Sequence, residues 1–97
     1  MVITIVEANV PREKWQDLEQ AYKEKTKHAP PKLRETFLIH DRDYPEVWRV
    51  ISIWRSIEAY EEVVNLAIYD TCMVIFRAVG AQPTRRIFDV PAHHLQI

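Results

Sequence analysis

Trp54 and Tyr60 are the residues with most chemistry to offer, six positions apart where a β-rich run gives way to a helical pattern. An indole supplies a large flat wall, and a buried phenol carries a hydroxyl that needs a partner. The pair can therefore enclose an aromatic ligand and hydrogen-bond its oxygen, and the same two residues also suit plain core packing. Trp48 and Val50 share a strand face with Trp54. Trp48 and Trp15 read first as packing residues. The four histidines offer no chelating geometry. His93 and His94 are neighbours on an extended segment and point to opposite faces, while His28 and His40 lie in separate segments. Neither a metal nor a cofactor is expected. Cys72 sits on an apolar helical stripe with no basic residue before Arg77, and reads as a small packing residue. Arg85 and Arg86, together on a final strand, either meet an anionic substrate or guard a sheet edge against aggregation.

The elements that must position these residues follow from periodicity. Residues 2–10 are β-branched and apolar on both alternating faces, Ile3 and Ile5 on one side and Val2, Val6 and Val10 on the other, which predicts a strand covered on both sides. Pro11 suits a first helical turn, and residues 11–27 place Trp15, Leu18, Ala21 and Tyr22 on one stripe until Pro30 and Pro31 end the helix. Residues 33–40 and 47–54 alternate around the polar stretch from Asp41 to Pro45 and predict a hairpin, with Leu33, Glu35, Phe37 and Ile39 on one face of its first strand. Ser56 is a helix N-cap, opening a stripe of Ile57, Tyr60, Val63, Val64, Ala67 and Ile68. Asp70 or Thr71 caps a further turn through Met73, Phe76 and Val79, which Gly80 stops. Residues 84–90 form the last strand. The order β-α-β-β-α-β is the ferredoxin-like split unit, an α+β fold with an antiparallel sheet and both helices on one face.

A chain of 97 residues, 47% hydrophobic and 28% charged, reads as a single domain over residues 1–97 with a thin stability margin. The second face of its sheet is too apolar to be left in water. A homodimer joined sheet to sheet is the expected solution. A net charge of -1 gives no reason to expect nucleic acid. No apolar run reaches the length of a membrane span, so a cytoplasmic protein with no membrane partner is expected.

The junction Trp54-Arg55-Ser56-Ile57-Glu58-Ala59-Tyr60 resembles that of the antibiotic biosynthesis monooxygenase group in the dimeric α+β barrel superfamily. Element order, chain length and the two-sided apolar strands agree over essentially the whole chain. The resemblance implies a dimeric α+β barrel in which each subunit holds a pocket between its own sheet and helices. Quinone-forming members oxidise polyphenols with molecular oxygen and neither metal nor flavin. They use the Trp, the aromatic six residues on and an Asn earlier on the same strand, and here that Asn position holds Val50. Haem-degrading members use a His and a second Trp at positions that here hold Met73 and Val63, so haem degradation is not expected, although Asn9 roughly matches an Asn of that branch. The resemblance thus implies a cofactor-independent monooxygenase acting on a small aromatic or polyketide-like molecule. Tyr60 and Asn9 would be its hydrogen-bonding groups, and Trp54, Trp48, Val50, Val63 and Met73 would line its site. The alternative is a non-catalytic dimeric module that binds a small apolar or aromatic ligand or is purely structural.

Overall fold

Four strands rich in β-branched and aromatic residues pair into one antiparallel sheet in the computed structural model, which describes residues 1–65 and 72–97. They are β1 (Val2–Asn9), β2 (Leu33–His40), β3 (Val47–Trp54) and β4 (Thr84–Asp89), in the order β2-β3-β1-β4. Helix α1 (Trp15–Thr26) follows β1 through a short 3-10 turn at Arg12–Lys14, while α2 (Ile57–Asn65) and α3 (Met73–Ala78) lie between β3 and β4. This is the α+β ferredoxin-like arrangement that the periodicity predicts. Ala67, Ile68, Asp70 and Thr71 of the expected stripe and cap lie outside the described residues.

Local chemistry sets the joints. Asp41 Oδ1 accepts from the backbone N–H groups of Asp43 and Tyr44 at 2.8 and 3.0 Å, closing the hairpin turn, and its Oδ2 accepts from Arg49 at 3.0 Å. These bonds hold the Asp41 carboxyl below the usual carboxylate range, the Tyr44 N–H contributing most, then Arg49. Ser56 Oγ accepts the Ala59 N–H at 3.1 Å, the expected N-cap of α2. Gly80, at φ +79°, ends α3: its N–H bonds the Arg77 carbonyl and that of Ala81 the Phe76 carbonyl, both at 3.0 Å.

Two expectations are corrected. A register shift between Leu33 and Glu35 inserts one residue into β2, so Leu33 pairs with Trp54 and packs beside it instead of sharing a face with Phe37 and Ile39. Cys72 is not on a helical stripe. It precedes α3 with φ +70°, a left-handed conformation rare outside Gly and Asn, and its side chain is buried.

The two sheet faces differ. Val2, Thr4, Val6 and Ala8 of β1 and Trp48, Val50, Ser52 and Trp54 of β3 are buried under the helices. Two clusters form there, a larger one around Val6, Leu18, Trp48, Val50 and Phe76, and a smaller one of Val2, Trp54 and Tyr60. The opposite face presents Ile3, Ile5, Phe37, Ile39, Val47, Ile51, Ile53 and Phe88, all half-buried or exposed in the single chain.

Candidate functional site

Pairing puts Trp54 opposite Val2 on β1 and Leu33 on β2, and the Ser56 cap then starts α2 so that Tyr60 descends onto Trp54 one turn later. Their ring centroids are 5.6 Å apart at 70°, an edge-to-face contact. Neither ring is open to water, Trp54 being 0% and Tyr60 4% exposed. The Trp54 indole N–H donates to Thr4 Oγ1 at 3.1 Å, and the Arg85 guanidinium lies 5.6 Å from the centre of the Tyr60 ring.

Thr4 belongs to a feature the sequence reading did not single out. Thr36, Ser52 and Thr4 pair side by side across β2, β3 and β1, a row of hydroxyls on the helix side of the sheet. Thr4 and Ser52 are buried, and Thr36 Oγ1 lies 3.3 Å from Ser52 Oγ. Along each of β1 and β3 this row separates the residues of the two apolar clusters. Its signal was available: a small hydroxyl at an inward position between Val2 and Val6, and again between Val50 and Trp54.

Beside this pair opens a cleft of about 810 Å³ between the end of α1, the 28–32 loop, α2 and α3. Ala21, Val63, Val74 and Ile75 give it an apolar lining, with Lys25 and His28 also on its wall. Lys32 Nζ and Glu62 Oε2, both lining residues from different walls, pair at 2.7 Å, and both are about half exposed. Such a pair adds little stability. Val63 lines the cleft and packs against both clusters, while neither Trp54 nor Tyr60 lines the cleft itself.

Of the residues singled out from the sequence, Trp54, Tyr60 and Val63 are thus brought together. Val50 lies two residues along the same face, in the larger cluster, and Met73 packs against that cluster. Trp48 is at the far end of β3, where His40 stacks on it at 4.0 Å and 9° and Trp15 meets both rings; its own indole N–H is buried without a hydrogen-bond partner among the described residues. Asn9 does not join Tyr60. It pairs with Val47, is exposed, and alternation puts it on the face away from the helices, about 24 Å along β1 from the Val2 that packs on Trp54. One strand cannot aim an odd and an even position into the same site. Among the described residues no three His, Cys, Asp or Glu side chains converge as a metal site would need.

Residues 1–73 match the family model described as antibiotic biosynthesis monooxygenase. No curated protein matches the sequence. Three solved structures are similar in fold. An antibiotic biosynthesis monooxygenase candidate from Deinococcus radiodurans is 12% identical, with 100% of this chain and 98% of that one covered at a TM-score of 0.74. SnoaB, a cofactor-independent oxygenase from Streptomyces nogalater, is 14% identical over 95% of each chain at 0.71. MhuD, a haem degrader from Mycobacterium tuberculosis with two haems in its active site, is 20% identical over 97% of this chain and 99% of its own at 0.74. At these identities the likeness is one of fold.

Proposed function

The chain belongs to the antibiotic biosynthesis monooxygenase family, and from that premise we propose that it is a cofactor-independent monooxygenase of a small aromatic or polyketide-like molecule. The observation that carries this reading is the Trp54–Tyr60 contact beside an apolar cleft of about 810 Å³, a volume within the range of small-molecule sites. A polycyclic phenol or ketone enters between the helices and displaces Val63 to reach Tyr60. There the phenol hydrogen-bonds the substrate oxygen on which charge develops, and Trp54 forms the wall. Exclusion of water strengthens that bond. An acidic CH₂ of the substrate is oxidised to C=O by O₂: its carbon loses two hydrogens and gains one oxygen atom, and the second oxygen leaves as water.

The reading includes a homodimer. The open sheet face carries eight apolar side chains that water would otherwise meet, and a second copy presenting the same face is the cover that requires no other partner. Sedimentation velocity at micromolar concentration should show two chains, and a well-folded monomer there would overturn it.

Oxygen uptake with a hydroxyanthrone tests the chemistry. Tyr60→Phe should lower kcat about 100-fold, the usual loss for one donor aimed at developing charge, with the fold intact by circular dichroism. Turnover unchanged in both Tyr60→Phe and Trp54→Phe would remove the pair from the site. One observation favours a second reading, a non-catalytic ligand-binding module: Val50, standing where quinone-forming members carry Asn, is buried and offers no polar group. Saturable binding of the anthrone without oxygen uptake would support that reading over the enzyme.

A further inference from the structure

The open sheet face is a grid whose rows are given by strand pairing. One row runs Glu35, Ile53, Ile3, Phe88 from β2 to β4, and the next runs Phe37, Ile51, Ile5, Arg86. A third contains Ile39, Arg49, Glu7 and Thr84. The charges in the third row are settled within the chain, because Arg49 bonds Glu7 at 2.6 Å and Asp41 at 3.0 Å. Glu35 and Arg86 are different. Both are exposed, neither has an ion-pair partner among the described residues, and they stand on opposite edge strands, three strand spacings or about 14 Å apart across the sheet and one row apart along it. Arg86 leans instead over Phe88 of its own strand, 5.0 Å from the ring centre.

Two copies of this face can meet about a two-fold axis in two simple ways. An axis across the strands lays β4 over the partner's β4 and β2 over the partner's β2, stacking Arg86 near Arg86 of the partner subunit and Glu35 near Glu35 of the partner subunit. An axis along the strands lays β2 over the partner's β4. Arg86 then faces the partner's Phe37, and the partner's Glu35 is one row away, about 7 Å along the strand and within reach of an arginine side chain. Building on the homodimer reading, we propose that this second packing is the one the chain adopts, and that two symmetric Glu35–Arg86 ion pairs between copies select it. Charges on an interface act chiefly in this way, by penalising the wrong arrangement. The pairs also lie at the edges of the two sheets, where β2 and β4 have no outer strand neighbour among the described residues of the single chain.

Glu35→Arg and Arg86→Glu test the assignment, since both positions are exposed and lie outside the proposed active site. Each variant alone places like charges at both contacts and should dimerise about 100-fold more weakly than the wild type by sedimentation equilibrium. An equimolar mixture of the two should recover wild-type affinity as a mixed dimer, because both contacts in that dimer are again opposite in charge. Circular dichroism should show the native fold in each. Singles that dimerise as tightly as the wild type, or a mixture no tighter than either component, would overturn the pairing while leaving the homodimer standing. A monomeric wild type would overturn both.

Discussion

Replacing Thr4 by valine keeps the side-chain shape and removes one oxygen, the acceptor of the Trp54 indole N–H at 3.1 Å. Both residues are buried, Thr4 at 1% and Trp54 at 0% exposure, so water does not replace the lost partner. The neighbouring hydroxyl in the row, that of Ser52, lies 3.3 Å from Thr36 Oγ1. Leaving a donor buried and unpaired costs about 1–3 kcal/mol, and the added methyl group returns roughly 0.8 kcal/mol at most. The net loss is about 1–2 kcal/mol. For a chain of this size that lowers Tm by roughly 5–15 °C, followed by circular dichroism. A double-mutant cycle with Trp54→Phe isolates the bond, because phenylalanine has no N–H to strand. Thr4→Val should be neutral to stabilising by up to about 0.8 kcal/mol in that background, giving a coupling of about 1–3 kcal/mol. An equal cost in both backgrounds would refute the reasoning and assign the effect to packing alone.

Asp41 supplies the pH test. Its carboxyl is held below its ordinary value in the folded chain, so its contribution is complete above the unfolded value and is lost as pH falls through the folded one. The Tm advantage of wild type over Asp41→Asn should therefore be constant near neutrality and shrink below about pH 4, and an advantage that persists undiminished to pH 2 would contradict the turn geometry. Gly80→Ala should cost about 1 kcal/mol, because φ is +79° while a Cβ there meets no atom within 4 Å; thermal unfolding should show a drop of roughly 4–8 °C, and no drop would mean the backbone relaxes at that joint.

Much of this architecture was legible because it is written in local periodicity. The hairpin strands at residues 33–40 and 47–54, the Ser56 cap and the Gly80 stop each follow from a few adjacent side chains and their hydrogen-bonding or steric needs. Register was less legible. One inserted residue in β2 turns Leu33 from the Phe37 face to the Trp54 face, and alternation alone cannot reveal a bulge. The hydroxyl row was hidden for a related reason: Thr4, Ser52 and Thr36 are far apart in sequence, and only strand pairing makes them neighbours.

For the candidate site the division is the same. Trp54 and Tyr60 could be paired from the sequence because a strand end and the first turn of the next helix are joined by two residues. The family resemblance groups Asn9 with them, and the tertiary structure separates it by face and by the length of a strand. Leu33 at the β2 bulge apart, the sequence by itself determined which residues are apolar on both faces of the sheet, since that depends only on residue type and a period of two. Which charges on the open face are already paired, and that Glu35 and Arg86 stand at opposite edges, was decided only by the tertiary structure, because strand order is a property of contacts between segments remote along the chain.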